Sequence, residues 1–263
     1  MTQLLPAGSR PVRFGRLARL NREPTNRVLR IFAPWIHRVL RIWTRADWRG
    51  TENIPISGPA IVVPNHISSL DPVLVGEFLV YNGRWPHFLA RANLFDNRIM
   101  GRLLRAAEQI PVFRASDKAR DSLQAAEVAL AKGHVVVIYP EGTITFDPDE
   151  WPMAGHTGAA RLALRVGAPM IPIGQWGANY ALPPRGIRPF RLRRTPVTLV
   201  AGPAIDLDEF NSALDDREAA RAATTKVMDT ITALVEQVRG QTAPVDRWHP
   251  KLDRRVPRAE AVH

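Results

Sequence analysis

Short β-rich runs alternate with helical patterns from about residue 58 onward, and this alternation constrains the fold more than any other feature of the sequence. The most apolar run, His134–Tyr139, contains four consecutive β-branched residues and predicts a strand buried on both faces. A helical pattern over Asp117–Lys132 precedes it and stops at Gly133, and another covers Thr157–Val166. This spacing predicts an α/β layer fold with a largely parallel sheet. The remaining predicted strands are Ala60–Val63, His87–Ala90, Gln109–Phe113, Met170–Ile173 and Val197–Ala201, and a further helical pattern covers Asp208–Arg239.

The composition excludes several classes of protein. The 263 residues are 45% hydrophobic, which is enough to bury a core, and they include no cysteine. Disulfide bonds, thiol nucleophiles, cysteine-ligated zinc and iron–sulfur clusters are therefore excluded. Every uninterrupted apolar stretch is shorter than the ~18 residues that indicate a membrane-spanning helix. Because the first residues also lack the apolar core of a secretory signal, we expect a protein on the cytoplasmic side of the membrane.

Most of the positive charge lies in the first 50 residues. The chain has a net charge of +11, and this segment holds eleven arginines against only Glu23 and Asp47. On a helical wheel of residues 27–45, tryptophan, phenylalanine and isoleucine fall on one broad side and the arginines on the other. This pattern favours a helix that rests on an anionic membrane surface, as in a peripheral or monotopic protein. The alternative is that the apolar side packs against the rest of the protein.

Nucleic acid is another polyanion that a basic segment of this kind could bind. Trp35, Trp43 and Trp48 would then serve as platforms on which bases stack. A nucleic-acid groove interleaves cations with aromatic side chains, whereas here the two kinds of side chain fall on opposite sides of the helix. The pattern therefore favours the membrane surface, and we predict no nucleic-acid partner.

These observations divide the chain into three segments. We expect residues 1–50 to form the basic amphipathic helical segment and residues 51–240 to form the α/β domain. Residues 241–263 are predicted to be a loosely ordered tail. The sequence contains no internal repeat, and it does not indicate an oligomeric state.

A histidine and an aspartate follow the first predicted strand of the α/β domain. His66 stands five residues before Asp71, so the two side chains do not share a helical face. In a turn that opens a helix, however, the carboxylate can fold back and accept a hydrogen bond from Nδ1 of the ring. Nε2 is then free to take a proton, as in a Ser-His-Asp triad in which a substrate hydroxyl replaces the serine. For an isolated pair, the alternative is a capping aspartate beside a surface histidine.

Two further strand ends carry residues that indicate a site. Glu141, Gly142 and Thr143 follow the most apolar strand, and a glycine beside a glutamate there allows close approach of the backbone. Arg114 directly follows the predicted strand Gln109–Phe113, and its planar guanidinium suits a phosphate. Taken singly, a tight turn and a solvated arginine would explain these residues as well.

Four blocks of residues occur in a familiar order: Asn65-His66 with Asp71, Arg114, Pro140-Glu141-Gly142-Thr143, and Ile171-Pro172-Ile173. In order and approximate spacing they resemble the glycerolipid acyltransferase family, which includes the 1-acyl-sn-glycerol-3-phosphate acyltransferases. The resemblance spans roughly residues 50–205 and depends on all four blocks together. It implies an α/β fold with a mixed sheet flanked by helices and preceded by amphipathic membrane-associating helices. It also implies an acyl thioester donor, either acyl-CoA or acyl carrier protein, and no metal or redox cofactor.

The resemblance implies a role for each matched residue. His66 would be the general base that removes the proton from the acceptor hydroxyl, and Asp71 would orient its ring. Binding roles are implied for Arg114 at the acceptor phosphate, for Glu141, Gly142 and Thr143 around the acceptor, and for Pro172 on the acyl-donor side.

One position departs from the family pattern. The third block usually continues with an arginine after the threonine, but this chain has Ile144. Arg91 stands where many members have a lysine, and it is a candidate to supply the missing positive charge. A second candidate is the group of N–H donors at a predicted helix start, on Gly155, His156 and Thr157.

Together, the residues and the resemblance predict an O-acyltransferase that acylates the free hydroxyl of 1-acyl-glycerol-3-phosphate (lysophosphatidate). The product would be phosphatidic acid, an intermediate of phospholipid biosynthesis. Direct attack on a thioester needs no acyl-enzyme, which agrees with the absence of a Gly-x-Ser-x-Gly motif. Alternative acceptors are glycerol-3-phosphate and another lysophospholipid or glycolipid. In a further alternative, the His-Asp pair activates water and the protein hydrolyses lysolipids or thioesters.

Overall fold

A seven-stranded sheet runs through the part of the chain that the computed structural model describes, which is residues 17–25, 27–112, 119–183, 194–213 and 216–263. The strands are β1 (Thr44–Arg49), β2 (Ala60–Pro64), β3 (Pro86–Arg91), β4 (Ile110–Val112), β5 (Val135–Val137), β6 (Met170–Trp176) and β7 (Thr195–Ala201). Their order across the sheet is β1-β7-β6-β2-β5-β3-β4. All neighbouring pairs are parallel except β6 and β7, so the sheet is mixed and largely parallel, as predicted.

Helices cover both faces of this sheet. They are α1 (Leu17–Leu20), α2 (Arg27–Trp43), α3 (Asp71–Tyr81), α4 (Arg98–Ala106), α5 (Ala119–Ala131), α6 (Gly158–Val166), α7 (Ala178–Ala181) and α8 (Arg217–Arg239). Short 3₁₀ helices lie at Thr51–Asn53, Ala92–Phe95 and Asp208–Ala213. Successive side chains of β2 point to opposite faces, as the period of a strand requires. Ile61 and Val63 pack with α5, α6 and α8, while Ala60 and Val62 pack with α2 and α3.

The parallel strands give the sheet two chemically different edges. We call the edge where β2, β3, β5 and β6 end the upper edge, and the edge where they begin the lower edge. In parallel α/β sheets, functional loops gather at the carboxyl ends of the strands, which here is the upper edge. Because β7 is antiparallel to β6 and β1 is parallel to β7, β1 begins at the upper edge. Helix α2 ends at Trp43, directly before β1, so its carboxyl end also lies there.

The boundary predicted after residue 50 is wrong, because the N-terminal segment is part of the α/β unit. All six residues of β1 pair with β7. Leu40 of α2 and Trp48 of β1 are buried in the same core as α3. The sequence hides this strand because its alternating polar residues, Arg45, Asp47 and Arg49, resemble the charged segment before it.

The prediction of a loosely ordered tail over residues 241–263 is also wrong. Strands β8 (Arg247–His249) and β9 (Arg254–Val256) form an antiparallel hairpin, and Ala261 and Val262 are buried. Three arginines of the tail, Arg247, Arg255 and Arg258, pair with aspartates in the rest of the chain. Arg247 lies 2.7 Å from Asp229.

One side of α2 is apolar and exposed. Leu40 and His37 face α3, but most of the large apolar side chains of the helix point away from the protein, and Trp35 is 60% exposed. The exposed apolar residues are Ile31, Phe32, Trp35, Ile36, Val39 and Ile42. None of the helices within the described residues combines the length and the apolar character needed to cross a bilayer.

Candidate active site

His66 lies at the upper edge of the sheet, in the turn between β2 and α3. Its Nδ1 is 2.8 Å from Oδ2 of Asp71, which is the first residue of α3. The same carboxylate oxygen accepts the backbone N–H groups of Ile67, at 2.6 Å, and Ser68, at 2.8 Å. The turn therefore folds the carboxylate back onto the ring, and the contact predicted from the five-residue spacing is present. An acceptor at Nδ1 places the ring hydrogen there and leaves the Nε2 lone pair available.

The two members of this pair differ in their access to solvent. Asp71 is fully buried, whereas the His66 side chain keeps 15% of its surface exposed. Burial raises the pKa of the Asp71 carboxyl, and the hydrogen bonds from His66, Ser68 and Ile67 act in the opposite direction. The buried carboxylate therefore holds the ring in place, and the imidazole is the group that an incoming molecule can reach.

A tyrosine covers one face of the imidazole. The rings of His66 and Tyr139 stack with centroids 4.2 Å apart and planes at 27°. Tyr139 follows β5, so this contact joins the ends of two neighbouring strands of the sheet. With one face covered and Nδ1 held, the ring has a fixed orientation, which general-base catalysis requires.

The carboxylate of Glu141 holds the backbone around His66. Its Oε1 accepts the N–H of His66 at 2.8 Å, and its Oε2 accepts the N–H of Met153 at 3.1 Å. The side chain is buried, and this burial raises the pKa of Glu141 to about 8. Both oxygens are enclosed and bonded to backbone, and the role of Glu141 around the acceptor stays a prediction. Thr145 completes the support by donating its N–H to the His66 carbonyl at 2.8 Å.

A second set of hydrogen bonds holds Asn65, the residue before His66. Asn65 and Gln175 are both buried and exchange hydrogen bonds between the end of β2 and β6. The Gln175 N–H donates to Oδ1 of Asn65 at 2.8 Å, and Nε2 of Gln175 donates to the Asn65 carbonyl at 2.7 Å. Gln175 could not be predicted from the sequence, since the two residues are 110 positions apart and no local pattern connects them.

Three of the predicted binding residues come together beside this loop. Arg91, at the end of β3, is exposed, and its Nη2 donates to Oγ1 of Thr143 at 3.0 Å. Gly142 adopts φ 68°, a left-handed conformation that favours glycine, and its N–H donates to the Tyr139 carbonyl at 2.9 Å. The upper edge thus presents one exposed guanidinium and one hydroxyl near the end of β5. Arg114 lies outside the described residues.

Pro172 and the backbone N–H groups of Gly155, His156 and Thr157 are both enclosed by the rest of the chain. Pro172 is buried within β6, opposite Val63 of β2, and so belongs to the interior of the sheet. The anion site predicted at residues 155–157 is wrong, because all three N–H groups already have acceptors within the chain. They donate to backbone carbonyls of Ala261, Pro140 and His263, at 3.3, 2.9 and 3.4 Å respectively.

The sequence matches one family along half of its length. A profile of the family described as Acyltransferase matches residues 45–176, which include most of β1, the His66–Asp71 turn, Glu141 and all of β6. The matched range thus contains the whole cluster of contacts around His66.

Individual proteins are similar to the chain at lower identity. It is 27% identical over 157 residues to the chloroplastic 1-acyl-sn-glycerol-3-phosphate acyltransferase BAT2 of Brassica napus, covering 56% of this chain and 44% of that protein. It is 27% identical over 129 residues to the 1-acyl-sn-glycerol-3-phosphate acyltransferase of Bacillus subtilis, covering 49% and 61% respectively. The chain therefore spans about half the length of these curated relatives.

A solved structure has the same fold. It is the 1-acyl-sn-glycerophosphate acyltransferase PlsC from Thermotoga maritima, with a TM-score of 0.62 over 82% of each chain. The two sequences are 23% identical, so this likeness concerns the fold alone.

Proposed function

The chain belongs to the acyltransferase family, and from this premise we propose that it transfers an acyl group from an acyl thioester to the free hydroxyl of 1-acyl-glycerol-3-phosphate. The product is phosphatidic acid, and the donor is acyl-CoA or acyl carrier protein. The observation that carries the proposal is the 2.8 Å contact between Nδ1 of His66 and the buried Asp71, which leaves Nε2 to accept a proton. The activities named for the two curated relatives support lysophosphatidate as the acceptor.

In the proposed reaction, Nε2 of His66 removes the proton from the acceptor hydroxyl as the oxygen attacks the thioester carbonyl. The tetrahedral oxyanion then collapses, the carbon–sulfur bond breaks, and the thiolate takes the proton back from the imidazolium. Asp71 stabilises the imidazolium electrostatically and keeps the ring in one tautomer. Because the thioester is already activated, we propose that this chemistry uses no metal or redox cofactor.

The acceptor phosphate is proposed to bind where Arg91 and Thr143 meet. An exposed guanidinium can make two hydrogen bonds to a phosphate, and the Thr143 hydroxyl adds a third donor beside it. Arg91 also supplies positive charge close to Ile144, where the family usually has an arginine. Arg114 is proposed to complete this cationic site.

The apolar side of α2 is proposed to rest on the cytoplasmic face of an anionic membrane. Six large apolar side chains of this helix are exposed, and arginines flank them, as with Arg38, whose guanidinium lies 5.3 Å from the centre of the Trp35 ring. Since α2 ends at the upper edge, this placement brings His66 toward the surface from which a lysolipid would enter.

An acceptor panel tests the proposed reaction. Purified protein on anionic vesicles is given labelled acyl-CoA or acyl carrier protein with lysophosphatidate, glycerol-3-phosphate or a neutral lysophospholipid. We expect labelled phosphatidic acid with lysophosphatidate. Free fatty acid as the only product, whichever acceptor is added, would instead identify a hydrolase that activates water with the same pair.

A flotation experiment tests the membrane surface. We expect Trp35→Glu together with Ile42→Glu to release the protein from vesicles of anionic lipid, since both side chains are more than half exposed. Ile56→Glu is the matched control, because Ile56 is 90% exposed but precedes β2 at the lower edge. Equal binding by all variants, or retardation of DNA that the double variant abolishes, would overturn this part of the proposal.

A further inference from the structure

Two histidines and a glutamate meet at the lower edge of the sheet, at the opposite end from His66. His87 is the second residue of β3, His134 directly precedes β5, and Glu108 lies in the turn before β4. One potential ligand atom from each side chain lies within 4.8 Å of the other two. Side chains from three separate segments therefore meet at the lower edge. The proposed acyl transfer does not use this cluster.

The surroundings of His87 indicate that a cation belongs beside it. Nδ1 of this buried ring is 3.2 Å from the Val135 carbonyl, which can only accept, so the ring hydrogen lies on Nδ1. Nε2 then carries a lone pair and faces Oε2 of Glu108 at 3.5 Å. Two electron-rich atoms placed in this way repel each other unless a proton or a metal ion lies with them. A carbonyl on the far nitrogen is also the usual second partner of a metal-bound histidine.

The backbone of Glu108 is held in an uncommon conformation. Its φ is 54°, in the left-handed region that residues other than glycine rarely adopt, and its N–H donates to the Arg105 carbonyl at 3.0 Å. This is the C′ position of a Schellman turn that ends α4, since the N–H of the next residue, Gln109, donates to the Leu104 carbonyl at 2.9 Å. This turn holds the carboxylate beside His87 and leaves more than half of its surface exposed to incoming ions.

His134 supplies the third potential ligand, and its ring is the one that can change orientation. Its ring stacks on that of His87 with centroids 4.3 Å apart and planes at 8°. A metal ion binds in the plane of an imidazole, so the two rings must tilt toward each other when one enters. His134 is only partly buried, and the tilt can therefore come from its side of the stack.

We propose that His87, Glu108 and His134 bind a zinc ion, with water as the fourth ligand. Two imidazole nitrogens and one carboxylate oxygen are a ligand set that zinc commonly takes, whereas calcium and magnesium prefer oxygen ligands alone. The ion would join the starts of β3, β4 and β5. Because it would lie at the opposite edge of the sheet from His66, the ion would take no part in the proposed acyl transfer.

Zinc titration of the full-length, chelator-treated protein by calorimetry tests this inference. We expect one equivalent to bind and to raise the thermal midpoint. Glu108→Gln and His134→Gln should each weaken zinc binding at least about tenfold. Both residues are partly or largely exposed, so these variants are expected to fold. In NMR spectra of the imidazoles, the nitrogen signals of both histidines should shift at one equivalent of zinc.

A variant in a second group of histidines, formed by His156, His249 and His263, provides the control. The ring of His263 lies 4.9 Å from that of His156 and 4.5 Å from that of His249, so His263→Gln removes a clustered histidine without touching the proposed ligands. This variant should bind zinc as the wild type does. The inference is overturned if Glu108→Gln and His134→Gln bind zinc with wild-type affinity. It is also overturned if the wild type shows no saturable binding, because a proton then holds the cluster together.

Discussion

Two histidine–carboxylate pairs flank α3, and only one of them has the surroundings of an active site. His66 lies 2.8 Å from Asp71 at the start of the helix, and His37 of α2 lies 2.5 Å from Glu77 in its middle. Exposure of the two imidazole side chains differs little, at 15% and 10%. A short contact and a partly accessible ring therefore do not distinguish a catalytic histidine from a structural one.

The difference lies in what holds each pair. Loops from the ends of β2 and β5 and from the start of α3 converge on His66, and their backbone N–H groups bind Asp71 and Glu141. His37 instead lies between two helices, with its ring 4.3 Å from that of Tyr81. Convergence at the carboxyl ends of parallel strands fixes a side chain beside a place where substrate can bind, whereas a helix–helix contact joins two elements of the scaffold.

Replacing each histidine in turn gives the largest expected contrast. His66→Gln should lower the rate of acyl transfer on the order of 10²- to 10⁴-fold, because Gln cannot act as a general base. His37→Gln should keep most of the activity, since it touches no proposed substrate group. Rates measured on vesicles, with circular dichroism to verify folding, check both expectations. An equal loss in the two variants would remove the distinction between the pairs.

Asp71→Asn should have a smaller effect than His66→Gln. Oδ2 of Asp71 accepts all three hydrogen bonds, so the amide oxygen of Asn can replace it and keep the ring oriented. The negative charge that stabilises the imidazolium is lost, and we expect kcat to fall on the order of 10²-fold, the low end of the range for general-base catalysis, with little change in KM. Steady-state kinetics with lysophosphatidate check this. An unchanged kcat would mean that the carboxylate acts only as a helix cap.

The His37–Glu77 pair should instead appear in the free energy of unfolding. His37→Leu leaves the buried Glu77 without its hydrogen-bond partner and should lower stability by about 1–3 kcal/mol. Replacing both residues by leucine should recover much of this loss, since neither polar group then remains buried. Urea unfolding of the single and double variants measures the coupling. If the double variant is as unstable as the sum of the single ones, the pair is not coupled.

A further expected effect is a change in how stability depends on pH. Glu141 has a pKa of about 8 in the folded chain, against 4.5 for the free side chain. Between these values the folded state keeps a proton that the unfolded state has released, so the unfolding free energy falls as pH rises from about 5 to 8. Glu141→Gln cannot titrate and should remove this part of the slope. Parallel stability curves for wild type and variant would contradict the raised pKa.

Sequence reasoning succeeded where the deciding interaction is local or periodic. The strands β2, β5 and β6 follow from their apolar runs, and the His66–Asp71 contact follows from a turn of five residues. It failed where a contact joins distant segments, as for Gln175 with Asn65 and for β1 with β7. The hydrogen bonds of Glu141 could not be predicted for a related reason, because they depend on Met153 and the loop around it.

Chemical rescue of His66→Ala tests the central claim most directly. The measured quantity is the rate of labelled phosphatidic acid formation from lysophosphatidate and acyl-CoA on vesicles, with and without added imidazole. The account predicts that imidazole raises the rate of this variant in a saturable way and leaves the wild-type rate unchanged. Formation of phosphatidic acid by His66→Ala at the wild-type rate without imidazole would contradict the claim that the ring of His66 takes the proton.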